Sequence, residues 1–190
     1  MSELTVGDPR WLTTDVGPVI DADALSMLKK HVTKMKKTSE IIYQCSVPTG
    51  HLSGHFMPPT AIAIDRMERL QQEVFGPILH VISYKRDELD DVIEQINATG
   101  YGLTLGIHSR INQTVQYIRE RCHVGNCYVN RNMIGAVVGL QPFGGEGLSG
   151  TGPKAGGPHY LQRLCVERTY TVDTTAAGGN ASLMSLEERG

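Results

Sequence analysis

The sequence predicts an α/β protein with a doubly wound, mainly parallel sheet, and three observations carry that prediction. Strand and helix signals alternate between residues 78 and 130, which favours parallel pairing with right-handed crossovers. The helices in that alternation keep apolar residues on one face, Val92, Ile93 and Ile96 on the first and Val115 and Ile118 on the second. A glycine-rich stretch over 131–158 follows, too long for a plain connector and placed where ligands gather beyond the carboxyl ends of parallel strands. The chain has 190 residues, 40% hydrophobic and 20% charged, enough for one domain or slightly more.

Residues 1–20 are rich in Gly, Pro, Thr and Asp and break at Gly7-Asp8-Pro9 and Val16-Gly17-Pro18, so they read as a loop. Asp21 then suits an N-cap, and Leu25, Leu28, Val32 and Met35 recur at helical spacing, with lysines toward the C-terminal end where the helix dipole favours them. Residues 41–45 read as a short strand, and 51–60, with Pro58-Pro59, as an irregular extended segment. The regular middle follows: strand 78–84, helix 89–97, strand 103–108, helix 113–121, strand 125–130. Residues 165–172 read as a last strand and 173–190 as a disordered polar tail.

A net charge of −2 provides no basic field for nucleic acid or an anionic membrane surface. No apolar run approaches the ~20 residues a bilayer requires, and MSELTVGDPR has neither an apolar signal core nor a basic leader, so a cytoplasmic location is expected. Cys45, Cys122, Cys127 and Cys165 are sparse and irregular, which suits free thiols in a reducing compartment. The sets Cys45, His51, His55 and Cys122, His123, Cys127 lack the paired spacing and four-ligand complement of a metal centre, so no metal site is expected.

Two glycine motifs fail their structural tests. Gly145-Glu146-Gly147-Leu148-Ser149-Gly150 matches G-x-G-x-x-G, but only Gln141-Pro142-Phe143 stands before it in place of an apolar strand, and the acid at a suitable distance, Asp173, lies in the tail. Lys154 follows glycines but precedes Ala155 rather than Ser or Thr, with the wrong spacing for a P-loop.

Glu73-Val74-Phe75-Gly76-Pro77 stands directly before a strand. Downstream come Gly102-Leu103-Thr104-Leu105-Gly106-Ile107, then Asn132 with Pro142-Phe143-Gly144-Gly145, then Ser149-Gly150-Thr151-Gly152; upstream stand Gly7-Asp8-Pro9 and Asp15-Val16-Gly17-Pro18. In order and spacing this series resembles the aldehyde dehydrogenase superfamily over roughly residues 4–172. Gly135-Ala136-Val137-Val138-Gly139-Leu140-Gln141-Pro142-Phe143 and Gly156-Gly157-Pro158-His159-Tyr160-Leu161 resemble its 1-pyrroline-5-carboxylate (L-glutamate γ-semialdehyde) dehydrogenase branch, found also in bifunctional proline-catabolic enzymes.

The resemblance implies a partial catalytic domain over 1–164 and an oligomerisation-type strand over 165–172 of a homo-oligomeric, NAD-dependent enzyme oxidising glutamate semialdehyde. Glu73 would accept hydrogen bonds from the nicotinamide-side ribose hydroxyls, which suits a carboxylate facing a vicinal diol, and Phe75 would pack beside ribose and nicotinamide. The backbone N–H groups of Gly135 and Ala136 would hold the substrate's α-carboxylate, with Phe143 along its apolar stem. The family's nucleophilic cysteine, general-base glutamate and Rossmann domain have no counterpart in these 190 residues, so the isolated chain is expected to be inactive. In a bifunctional parent, FAD would belong to a separate upstream domain. Two alternatives carry weight: an inert fragment that binds or complements a complete enzyme, and a fragment of a dehydrogenase for another amino-acid-derived semialdehyde.

Overall fold

The structure is a computed structural model that describes residues 1–48 and 53–173. After an N-terminal loop, helix α1 spans Ala22–Met35, capped by Asp21, whose side chain accepts from the Ala24 N–H at 2.7 Å. The cap satisfies one of the orphan donors of the first turn. The helical spacing places Leu28, Val32 and Met35 on one buried face, which packs with Met57, Ile62 and Ile64 as the main core. Each such side chain contributes about 1.5–3 kcal/mol on burial.

Strands β1 (Glu40–Gln44), β2 (Thr60–Ala63) and β3 (Ile78–Val81) form the first sheet, in that spatial order. β1 runs antiparallel to β2 and β2 parallel to β3, with Thr60 opposite Ile78 and Ala63 opposite Val81. Helix α2 (Leu89–Ala98) and strand β4 (Tyr101–Gly102) follow. Then β5 (Thr104–Ile107), α3 (Asn112–Arg121) and β6 (Asn126–Val129) make a βαβ unit with a parallel pair, Thr104 opposite Asn126. A two-residue strand β7 (Glu146–Gly147) closes antiparallel on β4. α2 docks on α3 through the Tyr117 hydroxyl, which donates to Asp90, and through Asn97, which donates to the Arg121 carbonyl and accepts from the His123 N–H.

The regular middle lies where the residue pattern puts it, and three expectations are corrected. Residues 53–59 are irregular as expected, but β2 starts at Thr60 and is the most buried strand, with Thr60 and Ile62 fully inaccessible; the start of the expected segment, 51–52, lies outside the described residues. The described strands form three separate sheets rather than one. β3 and β5 do not pair, and an open cavity of ≈ 590 Å³ is lined by His80 of β3 and by Thr104 and Leu105 of β5. Residues 165–172 form no strand: Val166 and Tyr170 are exposed at 91% and 87%, and no described strand offers a ladder. An extended segment without a partner leaves its backbone groups to water. The predicted tail lies outside the described residues from 174 onward. No helix among the described residues is long and apolar enough to cross a membrane.

Candidate functional site

Two concavities receive three of the residues singled out from the sequence, Glu73 in one and Ala136 and Phe143 in the other. The first is the gap between β3 and β5. Glu73 stands on its wall with His80, Leu105, Leu148 and Ser149, and its carboxylate is exposed. Phe75, two residues on, is 85% exposed and packs on nothing that hides it. The segment bearing both is held from beneath. Val74 and Ile78 pack on the core, and a Cβ at Gly76 would stand 2.5 Å from Leu28 Cδ1. A side chain at position 76 would therefore have to displace the Leu28 side chain of α1.

The far wall is built by the glycine-rich turn. The Ser149 hydroxyl accepts from the Gly102 N–H at 3.0 Å, and the Leu148 N–H donates to the Gly100 carbonyl at 2.8 Å. Within 145–150 the Ser149 N–H returns to the Glu146 carbonyl at 3.0 Å. β7 pairs with β4, and no helix begins there, so this G-x-G-x-x-G is a backbone-packing turn. A dinucleotide-binding turn opens a helix instead.

The second concavity, ≈ 270 Å³, lies over the loop after β6 and brings together Ala136, Gly139, Gln141, Phe143, Ala155 and Gly156. Ala136 and Phe143 therefore share a wall, whereas Gly135 stands outside it with nothing within 4 Å of a Cβ built there. The loop is bonded to itself: Val137 N–H donates to the Gln141 side chain at 3.0 Å, and Gln141 N–H to the Val137 carbonyl at 2.9 Å. Its exit is fastened more firmly. Phe143 and Ala155 exchange both backbone hydrogen bonds at 3.0 and 2.9 Å, and the Lys154 ammonium donates to the Gly125 carbonyl.

The residue that sequence reasoning missed is Asn126. Buried on β6, it donates to the Pro142 carbonyl at 3.0 Å and accepts from the Gly144 N–H at 3.2 Å. It thereby clamps the Pro142-Phe143-Gly144-Gly145 turn, while Asn132, the asparagine singled out beside that turn, is exposed. A lone amide within a short strand was the available signal, since a buried amide needs partners on both its groups.

The four cysteines are free. Burial pushes the thiols of Cys122 and Cys127 up, Cys122 further because of Cys127 nearby, the opposite of what a thiolate nucleophile requires. Cys45 is buried, its thiol donating to the Met1 carbonyl at 3.4 Å. Of the set Cys45, His51 and His55, His51 lies outside the described residues.

The aldehyde dehydrogenase family profile matches residues 1–170. The bifunctional protein PutA of Klebsiella aerogenes is 54% identical over 173 residues, 88% of this chain and 13% of that protein. A 1-pyrroline-5-carboxylate dehydrogenase of Geobacillus sp. (strain WCH70) is 41% identical over 165 residues, 84% of this chain and 30% of that protein. Among solved structures, a variant of Bradyrhizobium japonicum proline utilization A superposes with a TM-score of 0.84 at 52% identity, covering 92% of this chain and 18% of that one. A 1-pyrroline-5-carboxylate dehydrogenase from Thermus with bound NAD gives 0.74 at 37% identity, covering 84% and 30%. The chain thus spans 13% of the PutA relative's length and 30% of the monofunctional one. With a profile match across nearly its whole length and this likeness to solved members, the chain belongs to the aldehyde dehydrogenase family.

Proposed function

We propose that this chain is part of an NAD-dependent dehydrogenase that oxidises L-glutamate γ-semialdehyde, the open form of 1-pyrroline-5-carboxylate, to L-glutamate in proline catabolism. The observation that carries the reading is Glu73, an exposed carboxylate on the wall of the ≈ 590 Å³ gap, with the uncovered ring of Phe75 two residues away. These residues fit NAD: the carboxylate offers two acceptors to a ribose diol, and an unpacked aromatic ring offers an apolar surface. When bound, NAD supplies the hydride acceptor. Glu73 and Phe75 hold and orient it; backbone N–H groups of Gly135 and Ala136 receive the substrate's α-carboxylate, and Phe143 lines its stem.

The domain reading follows the same logic. Residues 1–164 belong to a catalytic domain with a doubly wound sheet, to which this chain contributes the parallel pairs β2–β3 and β5–β6. Residues 165–172 find their ladder on a second subunit of a homo-oligomer, which accounts for the exposure of Val166 and Tyr170. The location is cytoplasmic, and in a bifunctional parent FAD sits in another domain. No cysteine here has a nucleophile's surroundings, so the 190-residue chain alone turns over nothing; NADH formation above a no-protein blank would overturn that statement.

The test is Glu73→Gln in a complete dehydrogenase carrying this segment. Losing a charge-assisted contact of about 1.5–3 kcal/mol lowers kcat/KM by roughly tenfold or more. Unchanged kinetics with both NAD and aldehyde would remove Glu73 from the ribose site.

A further inference from the structure

His31 on α1 and His80 on β3 meet Nε2 to Nε2 at 2.9 Å, with ring centroids 5.1 Å apart and planes at 84°. Both are half-buried. Such a contact holds when one ring carries a proton on Nε2 and the other presents a lone pair. Two neutral rings in complementary tautomers satisfy it, and so does one cation with one neutral ring; two cations do not.

The pair flanks the segment that bears Glu73 and Phe75. His31 shares one cavity, ≈ 360 Å³, with Gln71, Gln72 and Val74, while His80 shares the ≈ 590 Å³ gap with Glu73. Leu28, one turn before His31, sits against Gly76. Any separation of α1 from β3 at the histidines therefore reaches residues 73–76. The charged groups around the pair are Lys30 and Lys34 on α1, Arg69 ahead of the segment and Glu73 within it. Three of these four are cationic, which disfavours a second proton. Burial lowers the His31 and His80 pKa values first, and Lys34 and His31 respectively add to the effect.

We propose that the His31–His80 hydrogen bond is a positioning contact for Glu73: it fastens α1 to β3 while at most one ring is protonated and releases when both are, making the placement of residues 73–76 depend on pH. The consequence for catalysis rests on the ribose reading of Glu73; the contact itself does not.

The test is a pH titration of the isotopically labelled 190-residue chain by NMR, following both imidazoles and the amides of Glu73, Val74, Phe75 and Gly76. The amides of the unmodified chain are expected to shift with the midpoint of the histidine pair. His31→Gln keeps a hydrogen-bonding group near the Nε2 position but cannot titrate, so there the amide shifts should vanish. His80→Gln makes the same test from β3 should the first variant fold poorly. Glu73→Gln should keep the shifts, which excludes the carboxylate itself as their source. Amides that stay flat while the imidazoles titrate, or that shift equally in both histidine variants, would overturn the proposal. No cofactor enters this readout, so a mistaken ribose role would show instead as unchanged kinetics of Glu73→Gln with the amide shifts intact.

Discussion

The two concavities differ in what holds them. The segment carrying Glu73 lies on the main core: Val74 and Ile78 pack there, Leu28 presses against Gly76, and His31 meets His80 alongside. The loop carrying Gly135 and Ala136 lies on nothing comparable. Ile134 and Val138 are 90% and 97% exposed, and the loop is fastened chiefly where it leaves, at Asn126, at the Phe143–Ala155 bridge and at Lys154. One proposed contact is thus backed by the main core, whereas the other stands on an exposed loop. The difference teaches that two motifs equally legible in sequence can rest on very different support.

The contrast breaks most strongly at Leu28. Leu28→Ala removes a buried side chain from the core and from beneath Gly76, and should lower stability by about 2–5 kcal/mol in urea unfolding. A loss under about 1 kcal/mol would show that the Glu73 segment does not depend on this core. Next is Asn126→Ala, which strips partners from the Pro142 carbonyl and the Gly144 N–H. A loss of about 1–3 kcal/mol is expected, with increased amide exchange at Gly144 and little change in α1.

The pH dependence sharpens the same comparison. Burial holds His31 and His80 below their ordinary value of 6.5, so the unfolded chain takes up protons first as pH falls. Their contribution is full above 6.5 and is lost as pH drops through the lowered folded values, so stability rises with pH across that window. Thermal melts from about pH 7.5 to about pH 5 should show this decline in the unmodified chain and a shallower one in His31→Gln. The smallest effect belongs to the loop after β6. Val138→Ala should change stability by no more than about 0.5 kcal/mol, because the side chain is already in water.

Much of the fold was legible where period and punctuation agree. Asp21 followed by Leu28, Val32 and Met35 announces α1, and the alternation from Ile78 to Val129 announces β3, α2, β5, α3 and β6. β2 was hidden because Thr60, Ala61, Ile62 and Ala63 are too few to show a period and follow Pro58-Pro59. The separation of β3 from β5 and the unpaired 165–172 were illegible because both depend on which strands are present to pair, and that is set over long range. For the site, the residue types could be named, but their support could not. Nothing near Glu73 in sequence points to His31, and nothing in the Pro142-Phe143-Gly144-Gly145 run points back to Asn126.

The central claim is that the loop at Gly135 recognises an aldehyde by its α-carboxylate, and one ratio tests it most directly. A Cβ at Gly135 meets nothing within 4 Å, so Gly135→Val should fold normally, while its branched side chain stands where the carboxylate would approach the backbone. In a complete dehydrogenase carrying this segment, kcat/KM for glutamate semialdehyde should fall roughly tenfold or more relative to that for propanal, which has no carboxylate to lose. An equal fall for both aldehydes, or no fall for either, would contradict the assignment.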